Sequence, residues 1–216
     1  MEGRKEMRTL KVQGKGSVSL PPDTAVFSFE ILAENKEYST CHENLNRRVA
    51  GLRQELWNCG IERTEVKTSD YRIQVKSRYE NGRSWHDGYT ARHHIRVETP
   101  FSQENINRVL STVGSGVSGT QIALSFAVSD KDSVRKLVLE DAVRNAKTNA
   151  ETLAAAAGVR LGALVQMDYG GLEVRFLTGE YDCCCESGED NPMVPPDIEP
   201  EDVKAEDSVT LIYEIQ

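Results

Sequence analysis

Between Ala25 and Val128 the spacing of apolar residues switches back and forth between the period of a strand and that of a helix. This order of switches limits the fold more than any other property of the chain, because each period buries a different kind of face. Phe27, Phe29 and Ile31 alternate with Ser28 and Glu30, which predicts a strand with one buried side. Cys41, Leu45, Val49, Leu52 and Leu56 then recur at helical spacing. Thr40 and Glu43 read as a capping box opening that helix, and Gly60 as its C-terminal cap. Two long alternating runs follow. Tyr71, Ile73, Val75 and Tyr79 face away from Arg72, Gln74 and Lys76; Tyr89, Ala91, His93, Ile95 and Val97 face away from Arg92, His94 and Arg96. The linker between them, Glu80 to Gly88, holds Asn81-Gly82 and Asp87-Gly88, and predicts a long-looped antiparallel hairpin. A helix starting at Ser102 turns Ile106, Val109, Leu110 and Val113 inward and ends in the glycine-rich GSGVSG. Ile122, Leu124, Phe126 and Val128 alternate as a further strand. The order β-α-β-β-α-β is that of the ferredoxin-like, or split βαβ, unit.

The flanking sequence adds to this unit. Leu10 and Val12, then Val18 and Leu20, alternate around Gly14 and Gly16, which predicts a strand with a bulge or bend at the glycines, stopped by Pro21-Pro22-Asp23. Ser129 with Asp132 reads as a second capping box, opening the longest helix, which ends at Gly158. Its inner stripe reads as Val134, Val138, Ala142, Ala146, Ala150, Leu153 and Ala157, small residues that permit close approach to a partner element. Val159 to Tyr169 reads as a strand, Leu172 to Leu177 as its continuation, and Val209, Leu211, Tyr213 and Ile215 as a final strand. The expected fold class is α+β: a mainly antiparallel sheet, mixed pairing left open, with three helices on one face. No composition break marks a second domain, so residues 1–216 are expected to form one domain with an acidic insert at about 180–207.

That insert accounts for the chain's acidity. The formal net charge is -8, from 26 Lys+Arg and 34 Asp+Glu. Eleven of the acidic residues and one basic residue, Lys204, fall between Glu180 and Asp207, which leaves 25 basic and 23 acidic residues elsewhere. The same stretch holds four of the seven prolines and three of the five cysteines, and reads as a solvated excursion between ordered elements. No dense Lys/Arg cluster points to a nucleic-acid partner, and no run approaches the ~18 apolar residues of a transmembrane helix. Glu2, Arg4, Lys5, Glu6 and Arg8 interrupt any apolar signal core, and an odd cysteine count without paired spacing does not resemble a secreted disulfide framework. The expected setting is cytoplasmic, or periplasmic or otherwise extracytoplasmic where a leader has been removed.

Residues that could carry chemistry form no catalytic constellation. Cys183, Cys184 and Cys185 are adjacent, whereas a structural zinc site spaces its thiolates two to four residues apart. Asp182 and Glu186 beside them oppose thiolate formation. His93 and His94 point to opposite faces of one strand, and His93 reads as a packed core residue. His86 lies in the hairpin linker with Trp85 and Asp87. There is no G-x-S-x-G, no H-E-x-x-H, and no GK[ST] after the glycines. The expectation is therefore no catalytic residue, no cofactor and no metal.

Several stretches together resemble the SIMPL, or DUF541, family. These are VQGKGSVSLPPDTA from Val12 to Ala25, VKTSDYRIQVKSRY, YTARHHIRV from Tyr89 to Val97, AVRNAKTNAETLAAAAGVRLGALVQM and PEDVKAEDSVTLIYEI. They run in order from about Thr9 to Ile215. The family includes a Brucella periplasmic immunogenic protein that assembles into a channel-like ring, an enterobacterial oxidative-stress protein and an animal protein that binds a signalling kinase. The resemblance implies no established catalysis. It implies a non-enzymatic protein, self-associating through its strands or its alanine-faced helix and linked to stress. Two alternatives stand beside it: a ligand- or protein-binding module using the Tyr79–Arg96 hairpin, and a metal or redox protein using Cys183–Cys185.

Overall fold

The computed structural model describes residues 8–80, 82–116, 120–170, 175–177, 180–183 and 198–216. Along the chain these form β1 (Thr9–Leu20), β2 (Thr24–Asn35), α1 (Tyr38–Asn58), β3 (Val66–Glu80), β4 (Arg83–Pro100), α2 (Gln103–Gly116), β5 (Thr120–Ala127) and α3 (Lys131–Ala157). After them come β6 (Leu161–Asp168), β7 (Arg175–Leu177), β8 (Glu180–Cys183) and β9 (Val203–Ile215). The fold is α+β, and every strand pairing among the described residues is antiparallel. The strands divide between two sheets rather than forming one, and the helices divide with them. Two compact units result: Pro22–Ala127 with Gly179–Glu201, and Met1–Pro21 with Val128–Thr178 and Asp202–Gln216.

The first unit is built on the sheet β3-β4-β2-β5-β8. Its first four strands stand in the ferredoxin-like order that the alternation of periods predicts. The inward positions of β2, Ala25, Phe27, Phe29, Ile31 and Ala33, are buried against Leu45, Leu52 and Leu56 of α1 and Ile106 and Val109 of α2. Each large side chain so buried contributes roughly 1.5–3 kcal/mol. The Thr40–Glu43 capping box does not form. Instead Asn35 Oδ1 accepts from the Glu37 N–H at 3.0 Å, and Glu37 becomes the N-cap of α1, three residues earlier than Thr40. Thr40 Oγ1 points back to Glu37 Oε2. At the other end Gly60 takes φ +84°, the Ile61 N–H reaches Leu56 O and the Gly60 N–H reaches Trp57 O, a Schellman closure. The Asn105 N–H donates to Ser102 Oγ at 3.1 Å and caps α2 where the sequence places its start.

The hairpin differs from the long-looped form. β3 and β4 pair out to Glu80↔Arg83, so the connection is residues 81–82, with Gly82 at φ +77°. Asp87-Gly88 is a bulge inside β4: Lys76 pairs with Gly88 and Ser77 with His86. Gly88 sits at φ +113°, and a Cβ there would lie 2.6 Å from Asn35 O. Both ends of the acidic stretch are also strand, since β8 pairs with β5 and β9 begins at Val203. Residues 184–197 lie outside the described residues.

In the second unit β9 lies between β1 and β6, and β7 also pairs with β9. β1 runs against β9 without interruption from Thr9↔Glu214 to Leu20↔Val203, so Gly14 and Gly16 make no bulge. They are small because α3 lies on them. A Cβ on Gly14 would fall 2.1 Å from Ala142 O, and one on Gly16 2.0 Å from Val138 O. The buried stripe of α3 is Val134, Val138, Ala142, Ala146, Ala150 and Ala154. Leu153 is 51% exposed where Ala154 is 3% exposed, because an i, i+4 row continues past Ala150 to Ala154. The N-cap is Asp130, whose carboxylate accepts from the Ser133 N–H at 2.9 Å, one residue after the predicted Ser129. Gly158 at φ +68° closes the helix with the same Schellman pattern as α1.

This contact gives a stability test. Gly14→Ala forces a methyl into a helix carbonyl and is expected to cost roughly 1–3 kcal/mol, the range for overpacking. Gly51→Ala, in an α1 position with nothing within 4 Å, is expected to stabilise by up to about 1 kcal/mol. Urea unfolding of both variants reads the opposite signs.

Candidate functional site

β3 is the outer strand of its sheet, with no strand on its far side among the described residues. Its alternation holds from Tyr71 to Val75, but little covers it: Tyr71, Val75 and Tyr79 are exposed, Val75 by 59% and Tyr79 by 76%, while Ile73 and Val66 pack against the core. Trp85 on β4 is exposed as well. The arm carries large apolar side chains that the fold does not use.

Its other face is charged, and the charges are paired. Arg92 Nε lies 2.8 Å from Glu30 Oε1, Arg96 Nε 2.9 Å from Glu98 Oε1, and Arg72 3.8 Å from Asp70. Lys76 Nζ donates to Glu34 Oε2, and Thr90 Oγ1 donates to Oε1 of the same carboxylate. The hydrogen bond from Lys76 holds the Glu34 carboxyl below its ordinary range, and Glu34 in turn raises Lys76. The face that reads as cationic from β4 alone is therefore mixed. Glu30 and Glu34 of β2 supply the balance, and nothing in the β4 pattern announces them.

The histidines do not gather. His93 is buried at 8% exposure, 2.9 Å from Thr68 Oγ1 through Nε2, with the Tyr71 ring edge-on at 5.3 Å. Its Nδ1 is buried with no hydrogen-bond partner. Burial holds its pKa below the ordinary value, and the charges of Arg53 and His94 add to the effect. His94 faces the other way, 3.9 Å from Glu30. His86 stands edge-on to Tyr89 at 5.1 Å, and Tyr38 meets Tyr89 from α1 at 5.5 Å. Burial pushes the Tyr71 phenol up, with Tyr38 and Cys41 contributing.

A small hollow lies where α1 ends beside α2, lined by Cys59, Ile61, Thr99 and Arg108 among others. Its cation is already engaged: Arg108 donates to Asn105 Oδ1 at 2.7 Å and to Cys59 O at 3.3 Å. Cys41 and Cys59 are free and buried. Cys183 ends β8, while Cys184 and Cys185 lie outside the described residues. Among the described residues no three His, Cys, Asp or Glu side chains gather as a metal site would need, and no helix is long and apolar enough to cross a membrane.

Residues 10–213 match the SIMPL family, described as a protein of unknown function (DUF541). The chain belongs to the SIMPL family. Among its relatives is the "Uncharacterized protein YggE" of Edwardsiella ictaluri (strain 93-146), 26% identical over 157 residues. That similarity covers 72% of this chain and 65% of the relative, so just under two thirds of the relative's length is matched. The SIMPL match spans residues of both sheets and of all three helices described, so it reaches into both compact units.

His93 yields a pH test. Its folded pKa lies below the unfolded value of 6.5, so the unfolded chain binds the proton first as pH falls. Stability is expected to be full above that value and to decline as pH drops through it toward the folded pKa. His93→Gln, which can keep a hydrogen bond to Thr68, is expected to flatten that part of the curve in unfolding titrations between pH 7 and pH 5.

Proposed function

We propose that this SIMPL protein acts without catalysis, as a self-associating protein whose contacts are made by the β3–β4 arm. The observation that carries the reading is the outer edge of β3: a fifteen-residue strand with no strand on its far side among the described residues, beside exposed Tyr71, Val75 and Tyr79. Such an edge is a ready template for another strand. The alanine stripe of α3, the other contact surface expected from sequence, is spent inside the protein, since Ala142, Ala146 and Ala150 are fully buried beneath β1 and β9. Several polar groups of the arm and of the hollow beside α2 are already engaged. Lys76, Arg92 and Arg108 each hold an acceptor, and His93 Nε2 is tied to Thr68.

Sedimentation velocity with light scattering over a wide concentration range tests the reading. Reversible association that grows with concentration is the expected outcome. A strictly monomeric chain at the highest concentration would sink the idea.

A further inference from the structure

Resting on the reading just given, we infer that two copies join β3 to β3 across a two-fold axis at Ile73, which makes the two five-stranded sheets one continuous sheet.

The register follows from the strand itself. β3 pairs with β4 in unbroken register from Asp70 to Lys76, the longest such run along the strand, between irregularities at Thr68/Asp70 and Lys76/Ser77. A second strand can add in regular register along this seven-residue stretch, Asp70-Tyr71-Arg72-Ile73-Gln74-Val75-Lys76. Its midpoint is Ile73, and its chemistry is self-complementary about that midpoint. Antiparallel pairing of two copies there sets Asp70 opposite Lys76 of the second copy at both ends. It sets Tyr71 opposite Val75, Arg72 opposite Gln74, and Ile73 opposite itself. Directly opposed residues on one face sit close enough for such pairs to interact.

Each face then receives matching groups. Tyr71, Ile73 and Val75 lie on the face that packs toward the core, where Tyr71 and Val75 are left exposed in the single chain. Asp70, Arg72, Gln74 and Lys76 lie on the other face. Neighbouring registers lack this match. Moving the axis to Arg72 puts Arg72 opposite Arg72, and moving it to Gln74 puts Arg72 opposite Lys76. A two-residue slip in either direction therefore opposes like charges, which disfavours it.

A second edge in the molecule shows what a closed edge looks like. Along β1, α3 side chains occupy the outward backbone groups: Asn145 Nδ2 donates to Lys15 O at 2.7 Å, Asn149 Nδ2 to Gln13 O at 3.1 Å, and the Ser17 N–H donates to Asp141 Oδ2 at 3.2 Å. No such ladder lies along Asp70–Lys76 among the described residues. The edge of β6 carries exposed Leu164, Val165 and Met167, but its pairing with β9 is interrupted by two register shifts and offers no uniform template.

The test uses charge exchange between two variants of the full chain. Asp70→Lys alone places Lys opposite Lys76 twice, and Lys76→Asp alone places Asp opposite Asp70 twice. Each single variant is expected to dimerise roughly tenfold or more weakly than the wild type by sedimentation equilibrium. An equimolar mixture of the two restores both pairs in a heterodimer and is expected to recover association. Lys76 is exposed and Asp70 is half-buried, and circular dichroism verifies that each variant is folded. Recovery in the mixture supports the register. Two weakened variants that fail to complement overturn the Ile73 axis. Wild-type association that neither substitution changes overturns the β3 interface and leaves self-association standing. A strictly monomeric wild type removes both.

Discussion

The contact between α3 and β1 is made backbone to backbone, and the second unit depends on it. The helix carbonyls of Val138 and Ala142 occupy the space where side chains on Gly16 and Gly14 would be. Glycine in a strand ordinarily weakens it, since it packs nothing and loses more freedom on ordering. Here the loss is offset because alanine on the helix and glycine on the strand together bring the two elements within direct contact. The flanking i, i+4 row of Asp141, Asn145 and Asn149 then reaches the edge of β1 and satisfies backbone groups that would otherwise face solvent. One helix thus both covers the sheet and closes its edge, while β9 holds the opposite side of β1 along its whole length.

The two sheets therefore treat their edges differently. β1 cannot accept another strand without displacing three side-chain hydrogen bonds. Along Asp70–Lys76 no such bonds stand in the way among the described residues. Strand edges commonly carry lysine and arginine to prevent pairing. A like-charged edge would do this in every register, but β3 mixes signs, with Asp70 at one end of the regular stretch and Lys76 at the other. In the pairing proposed above, an edge of that composition disfavours the two neighbouring registers.

Much of this was legible in the sequence, because period-two and helical spacing follow directly from which faces are buried. Phe27, Phe29 and Ile31, and Cys41 through Leu56, fall where the alternation puts them, and with them the ferredoxin-like order. Features set by a partner distant in sequence were not legible. Gly14 and Gly16 read as a bend because the helix that needs their small size is more than a hundred residues away. Asp87-Gly88 resembles a turn as much as Asn81-Gly82 does, and only the pairing with β3 makes one a bulge and the other a turn. The first capping box failed for a local reason: Asn35 competes earlier for the same chain reversal. The division into two sheets was missed because periodicity places residues on faces but does not say which strands share a sheet. At the candidate site the aromatic residues of the arm were visible, whereas the pairing of Glu30 and Glu34 with its cations was not, since they sit on β2 and meet the arm only through cross-strand register.

The energetics of the arm divide along the same line. Its ion pairs are exposed, and exposed pairs contribute little because water and salt screen both partners. Exchanging the contacts of Asp70 and Lys76 within one chain for contacts between two chains therefore changes the free energy only slightly. The gain from joining two edges must come from elsewhere: from backbone groups that exchange water for each other, and from the apolar area of Tyr71 and Val75 removed from solvent. Charge is then left to select the register while burial supplies the affinity. An interface of seven residues a side is small, so the proposed association through β3 alone would fall in the reversible, concentration-dependent range rather than in that of permanent dimers.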